Sequence, residues 1–293
     1  MNIAVVIATY NRVKFLRKLL SQIHSARTSE LSILTIVVDD GSKDGTRKMI
    51  LENYPETIII NGEGNWWWTR CMNEGFKKAV EIKAEYVLII NDDNEVAEDY
   101  FEILLQDYNG IPRGSILGSM SVSAGNPSLI EMSGTKSFNR WLLKAEDYLK
   151  PYSPVNNSCS GIYPTYTLSG RGTVIPCILF HQIGYYNERL PQYGSDDEFI
   201  LRARKYGVGT FISWNLKIYN HTYMTSESSS VRKTSFRKFT LNFFRPYSAN
   251  SLKKEIILYW EYGVPWLLPF FILYYCLGSY KSFLFNYRKI KKA

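Results

Sequence analysis

The chain has 293 residues, 45% hydrophobic and 21% charged, with a net charge of +8. That balance supplies a sizeable core and excludes a disordered chain, a coiled coil and a collagen-like repeat. Four cysteines (Cys71, Cys159, Cys177 and Cys276) lie far apart with no CxxC pair, which argues against a disulfide scaffold or a Cys-rich zinc site and fits a reducing cytosol.

The opening MNIAVVIATYNR reaches a polar loop after about six apolar residues, lacks the basic head and long apolar stretch of a secretory signal, and is expected to start inside the cell as a first strand. Ile3–Ala8 is that strand; Val13–Ile23 follows with apolar residues at helical spacing (Phe15, Leu16, Leu19, Leu20, Ile23). Ile33–Val38 reads as a second strand, Asp44–Tyr54 as a helix, Thr57–Ile60 as a third strand and Trp66–Ile82 as a helix. Tyr86–Ile90 is a fourth strand and Ala97–Tyr108 another helix. Continuous Val/Ile runs imply strands covered on both faces, and the helices between them are the crossovers that parallel strands require. Residues 1–110 are therefore expected to form a doubly wound, mostly parallel α/β sheet.

Farther on, Ser115–Val122 alternates as strands do, Pro151–Pro164 reads as loop, and Gly170-Arg171-Gly172-Thr173 precedes an apolar stretch from Val174 to Phe180. A helix is expected over Ser195–Tyr206, with Asp196, Asp197 and Glu198 in its first turn and Arg202, Arg204 and Lys205 in its last, the order the helix dipole favours. Ser226–Ser230 reads as mobile. Residues 222–293 hold twelve Lys/Arg against three acids, whereas the first 221 hold 23 against 24. A near-neutral body thus carries a basic, aromatic tail, and Tyr262–Tyr280 has no charged residue. Tyr259, Trp260, Trp266, Tyr274 and Tyr275 together with the Lys/Arg are what membrane interfaces collect, while Pro265 and Pro269 interrupt the stretch. The tail is expected to insert in or lie on an anionic membrane surface; a helical hairpin on the body or on another subunit is the alternative.

Three groups of residues carry candidate chemistry. Each predicted strand ends in a polar loop, and ligands of open α/β sheets bind beyond those carboxyl ends. Asn91-Asp92-Asp93-Asn94 offers hard oxygen ligands for a divalent cation shared with phosphates. Tyr193-Gly194-Ser195-Asp196-Asp197-Glu198 offers a carboxylate as general base, although a cap and dipole partner would have the same composition. Trp66, Trp67 and Trp68 cannot all face a core from one helical turn, so at least one is expected to line a cleft and stack on a base or sugar.

IATYNR, VVDDGSKDGT and IINDDNEV, in that order, resemble the inverting family-2 glycosyltransferases with the A-type nucleotide-diphospho-sugar-binding fold. GNWWWTRCMNEG, SGRGTVIP and LPQYGSDDEFILRARKYG look like a bacterial branch making surface polysaccharide, of rhamnosyl- or galactosyltransferase type, and the likeness covers residues 1 to about 221. It implies that Thr9, Asn11 and Arg12 contact the nucleotide and that Asp39 hydrogen-bonds the nucleobase, with Gly41, Trp67, Arg70 and Asp92 as further donor contacts. It implies Asp93 as the ligand of Mn2+ or Mg2+, in a motif whose first position is Asn91, and His221 as a further metal or diphosphate contact or else a structural residue. Asp196 falls where the family has its catalytic base; Ser195 replaces a Glu there, which leaves Asp197 as the other candidate.

The expected function is inverting, metal-dependent transfer of a sugar from a nucleotide-diphospho-sugar to a hydroxyl of a glycan or lipid-linked acceptor, at the cytoplasmic face of the membrane. Residues 1–225 would form the glycosyltransferase domain, with 1–110 binding the donor and 111–225 the acceptor, and 226–293 the membrane-associating tail. A sugar-phosphate nucleotidyltransferase would want a Gly-rich phosphate loop where this chain has ATYNR. A nucleic-acid-binding protein would want basic residues on the body, and no nucleic-acid partner is expected. No GxGxxG follows a strand, which disfavours a Rossmann oxidoreductase.

Overall fold

A computed structural model describes residues 1–26, 31–156, 159–221 and 235–292 of the chain. Strands β1 (Asn2–Thr9), β2 (Ser32–Asp39), β3 (Ile58–Asn61) and β4 (Tyr86–Ile89) lie parallel in the order β3-β2-β1-β4. Helices α1 (Val13–Ser25), α2 (Thr46–Asn53) and α3 (Trp67–Glu81) supply the crossovers. The alternation within β1 sorts its side chains between two cores. Ile3, Val5 and Ile7 meet Leu16, Leu19 and Ile50 on one face, and Ala4 and Val6 meet Met72 and Phe76 on the other. Gly75 is needed on that second face, since a Cβ there would come 2.3 Å from Val6 Cγ1.

The second half mixes directions. After β5 (Asn94–Val96) and α4 (Tyr100–Asn109) come β6 (Ile116–Ser123), β7 (Ile130–Met132), β8 (Thr135–Asn139), β9 (Lys144–Asp147), β10 (Ile162–Pro164) and β11 (Thr173–Pro176). Helices α5 (Ile178–Ile183) and α6 (Ser195–Lys205) and strand β12 (Thr210–Asn220) follow. β11 inserts antiparallel between β4 and β6, and β12 runs parallel to β6 but antiparallel to β5 and β10. β8 and β9 form a separate hairpin. The stretch expected to be loop ends in β10, a three-residue edge strand too short to show alternation. Ser226–Ser230 lies outside the described residues.

The tail comprises α7 (Phe236–Asn242), α8 (Leu252–Tyr262), a 3-10 turn (Pro265–Leu267) and α9 (Leu268–Lys292). Gly263 and Pro265 end α8 and start the turn, as proline at a first helical position does. The boundary expected at residue 225 lies outside the described residues, and the tail from Phe236 onward packs on the body. Ile257 and Leu258 bury against Leu190, Tyr259 donates its hydroxyl to the Trp141 carbonyl at 3.0 Å, and Arg140 donates to the Gly263 carbonyl at 3.0 Å. Each buried aliphatic side chain contributes about 2 kcal/mol to that docking. Beyond it, Trp266 in the turn and Phe270, Leu273, Leu277 and Leu284 along α9 are exposed, whereas Phe271 stacks on Tyr259 with ring centroids 4.0 Å apart.

Candidate active site

Because β1 and β4 are neighbours, the loops at their carboxyl ends meet. Thr9 donates to Asp92 Oδ2 at 2.8 Å, and the Arg12 guanidinium reaches Asp92 Oδ1 and Asp93 Oδ2, each at 2.9 Å. Both carboxylates are buried. Burial, reinforced by Asp93, pushes the Asp92 carboxyl up to about 6, against the opposing pull of Arg12 and Thr9. Although its own burial works against its charge, Arg12 holds its proton more tightly because of the two acids.

The second wall is the start of α6, with Gly194 left-handed at φ 86 before it. Asp196 accepts from the Gly170 amide at 3.1 Å (Oδ2) and from the Asp197 amide at 3.0 Å (Oδ1). Burial raises the Asp196 carboxyl despite those two amides. Burial and then the adjacent Asp196 charge push Asp197 up to about 8, with Lys254 pulling the other way. Ser195 is fully buried, and its hydroxyl lies 2.8 Å from the Thr69 hydroxyl on α3. A carboxylate at this position would be buried against a hydroxyl already bonded to the Leu190 carbonyl.

Trp68 joins the two walls. Its indole Nε1 donates to Asn91 Oδ1 at 3.1 Å, and a Cβ on Gly170 would come 2.4 Å from its Cζ2. The first glycine of the SGRG fragment is therefore the space Trp68 occupies, and Asn91 serves as its acceptor without adding a third charge beside Asp92 and Asp93. A cavity of about 440 Å³ opens between the walls. Arg12, Asp92 and Asp93 line it together with Arg171, Asp196 and Asp197, Trp68 and Gln192, and Ala249, Lys254 and Leu258 are contributed by the tail.

Other residues expected at the site have different places. Asn11, at φ 52, braces two loops: its amide donates to the Ser42 hydroxyl and its side chain accepts from the Lys43 amide, both at 2.8 Å. Asp39 is 4% exposed, and its Oδ1 accepts from the Ser42 amide at 2.9 Å, closing the turn that Gly41 makes at φ 80. Neither Asp39 nor Gly41 lines the cavity. Three more of the expected residues stand outside the lining of this cavity. Trp67 is turned away by its left-handed backbone (φ 61) and stacks on Tyr247, centroids 3.9 Å apart. Arg70 is exposed, one turn along α3, with its guanidinium 4.6 Å from the Trp66 ring centroid. His221 has its Nε2 2.5 Å from Glu95 Oε1, in a network with Lys18, while its backbone amide donates to the Asp93 carbonyl at 3.3 Å.

The residue after Asp39 proves structural: Asp40 accepts from the amides of Gly64, Trp66 and Trp67 at 2.8, 2.9 and 3.2 Å, which sets the start of α3. Sequence reading missed the cavity roles of Trp68, Arg171 and Lys254. For Trp68 and Arg171 the signal was there, in an aromatic run and in an arginine between glycines; Lys254 lies in the tail, one basic residue among many. For a divalent cation, the oxygen donors of Asp93 and Asp92 have suitable hardness. Among the described residues no three His, Cys, Asp or Glu converge, so phosphates and water would complete its shell.

Residues 4–162, more than half of the chain, match the family model described as Glycosyl transferase family 2. The chain is 30% identical over 100 residues to an uncharacterized glycosyltransferase of Mycoplasma genitalium, covering 32% of this chain and 33% of that one. It is 26% identical over 194 residues to another of Rickettsia felis, covering 64% and 29%. The chain thus spans about a third of the length of these curated relatives. Among solved structures it resembles GalNAc-T7 with UDP, GalNAc and Mn2+, with a TM-score of 0.62 at 15% identity over 94% of this chain and 57% of that one. It also resembles Staphylococcus aureus TarS residues 1–349, with a TM-score of 0.54 at 15% identity over 100% and 90%. The fold is that of A-type glycosyltransferases, and the chain belongs to glycosyl transferase family 2.

Proposed function

We propose that this member of glycosyl transferase family 2 moves a sugar from a nucleotide-diphospho-sugar to a hydroxyl acceptor by a single inverting displacement, with Asp196 as general base. The observation carrying this reading is that Asp93 and Asp196, 103 positions apart in the chain, line one cavity large enough for a diphospho-sugar.

Asp93 with Asp92 would hold Mn2+ or Mg2+, which when bound supplies positive charge to the leaving diphosphate. GalNAc-T7, on the same fold, holds UDP and Mn2+. Arg12 offers a fixed positive charge at that end, where negative charge grows as the glycosidic bond breaks. The nucleoside is assigned to the loops of Thr9, Asn11, Asp39 and Gly41, beyond the ends of β1 and β2. Asp196 is held by two backbone amides, which aim the carboxylate, while its burial raises its proton affinity toward the range useful for a base. Taking the acceptor proton there lets the hydroxyl oxygen attack the anomeric carbon opposite the leaving diphosphate.

The catalytic unit in this reading extends through α8, and the membrane-associating segment begins at Pro265. Pro265–Phe285 is long and apolar enough to cross a membrane, with a mean hydropathy of 1.3. Its exposed face and the surrounding Lys/Arg support association with an anionic membrane surface, and the four unpaired cysteines suit its cytoplasmic face. A lipid-linked or glycan acceptor in surface-polysaccharide synthesis fits that position. The test is a panel of nucleotide-sugars with membrane extract as acceptor, with and without EDTA. Transfer by wild type, lost in Asp196→Asn, supports the reading; transfer retained in Asp196→Asn overturns the base, and EDTA-insensitive transfer overturns the cation.

A further inference from the structure

The tail carries more than a membrane face. Lys254 lies beside Asp197, and its side chain passes Gly194 so closely that a Cβ there would come 3.1 Å from Lys254 Cδ. Its ammonium donates to the Ala249 carbonyl at 2.6 Å and pairs with Glu255 at 3.0 Å, which uses two of its three donors. Leu258 and Ala249 line the same part of the cavity. The segment is fastened on both sides: Tyr247 stacks on Trp67, and Tyr262 donates to Glu198 Oε1 at 2.6 Å, two residues after Asp196.

This arrangement puts two cations, Arg171 and Lys254, close to Asp196 and Asp197 in the cavity that Arg12 also lines. A neutral hydroxyl acceptor can take a hydrogen bond from them but brings no charge to match theirs. A phosphate does, since anions favour Arg and Lys donors in a partly desolvated cavity. The helix that carries Lys254 ends at Tyr262, and the 3-10 turn that follows, with Trp266 exposed, leads into α9 and its exposed apolar face.

Resting on the glycosyl-transfer reading above, we propose that residues 247–262 form the acceptor wall of the cleft, and that Lys254, with Arg171, recognises a phosphate or diphosphate group on the saccharide acceptor. Such a group belongs either to a lipid-phosphate-linked saccharide or to a soluble phosphorylated one. Lys254 is then a specificity residue contributed by a segment beyond the family match.

The experiment uses the full chain, the nucleotide-sugar that wild type accepts, and membrane extract as acceptor. Lys254→Met should raise the extract concentration for half-maximal transfer at least tenfold and leave that for the nucleotide-sugar within twofold; Lys254→Arg should stay within threefold of wild type on both. Label in the organic phase identifies a lipid-linked acceptor, and label in the aqueous phase a soluble phosphorylated one; either supports the proposal. Octyl diphosphate should compete with extract and lose at least tenfold potency in Lys254→Met, whereas octyl glucoside should compete in neither. Unchanged extract dependence in Lys254→Met, equal loss in Lys254→Arg, or equal competition by octyl glucoside overturns the proposal. Where Lys254→Met fails to fold, Lys254→Gln takes its place. Quenching of intrinsic fluorescence by octyl diphosphate gives a readout independent of turnover, because Trp68 lines the cavity. Quenching equal in wild type and Lys254→Met also overturns it. A wild type inert with every donor overturns the glycosyl-transfer reading instead.

Discussion

Tyr262 of the C-terminal segment donates its hydroxyl to Glu198 at 2.6 Å, and Glu198 also accepts from Arg202 at 2.9 Å, so the helix that begins with Asp196 is braced by the tail. The acid next to Asp196 and Asp197 thus has a supporting task, and the two aspartates are left facing the cavity.

Those two acids predict the pH behaviour. A base must be deprotonated, and both carboxyls are raised by burial. Turnover at saturating donor should therefore fall as pH drops, with the acidic limb above the ordinary carboxylate range. Asp196→Asn should lose about 10²–10⁴-fold in kcat. Asp197→Asn should keep most activity and move the limb to lower pH, because it removes a neighbouring negative charge. A pH–rate profile of the three proteins checks this.

Stability should follow the same groups with the opposite sense to most carboxylates. Asp92 at about 6 and Asp197 at about 8 bind protons more tightly folded than unfolded, where 3.8 is usual. Between those limits the native state holds more protons than the unfolded one, so their contribution to stability falls as pH rises. Thermal melts from pH 4 to 8 should show this decline, and Asp197→Asn should flatten its upper part.

Arg12→Met leaves Asp92 and Asp93 buried without their shared cation. Loss of a buried ion pair by one partner costs about 3–5 kcal/mol, and Arg12, 29% exposed in its side chain, brings the expected cost nearer 2 kcal/mol. The variant should melt lower, raise the KM for nucleotide-sugar, and gain more stability from added Mn2+ than wild type does. Calorimetric melts with and without the ion measure all but the kinetic part.

Gly170→Ala places a methyl 2.4 Å from Trp68 Cζ2. Overpacking of that kind costs about 1–3 kcal/mol. Since Trp68 touches Asn91 and the Gly170 amide holds Asp196, activity should fall at least tenfold while the folded state persists. Circular dichroism beside a transfer assay separates the two effects.

Ser195→Glu tests whether this buried position tolerates an acid. The position is fully buried against Thr69, so the carboxylate has no water and only one hydroxyl. The substitution should destabilise by at least ~2 kcal/mol rather than restore function, as read by chemical denaturation.

On α9, Phe270 and Leu277 are 71% and 61% exposed. Replacing both by Ser should reduce co-sedimentation with anionic vesicles at least tenfold, because each apolar side chain contributes about 2 kcal/mol on insertion. The melting temperature should change little, as surface positions usually shift stability by under about 0.5 kcal/mol.

The order of strands and helices through residue 110, apart from the three-residue β5, was legible because buried parallel strands need Val/Ile runs and their crossover helices need a repeating apolar face; both are local patterns. The antiparallel insertion of β11 was not legible, since Thr173–Pro176 is a buried run of the same appearance whatever its direction. Asp93 and Asp196 were readable as candidates from their motifs. Trp67 was read in place of Trp68 because neighbouring residues of a run differ only in the direction of their side chains, and Asp40 decides that direction through the amides of Trp66 and Trp67.

What the amino-acid sequence determined by itself is the inventory: hydrophobic periods, glycines where the backbone must turn, acids at strand and helix ends, and an apolar, basic tail. What only the tertiary structure decided is which of these meet. Arg12 lies between two aspartates 80 and 81 positions away, Trp68 fills the space left by Gly170, and Lys254 enters a cavity built mostly from the first 197 residues. Local sequence limits the backbone a segment adopts, but the direction of a side chain and the charge beside it are set by packing between segments far apart in the chain. The chemistry of the site depends on that second level.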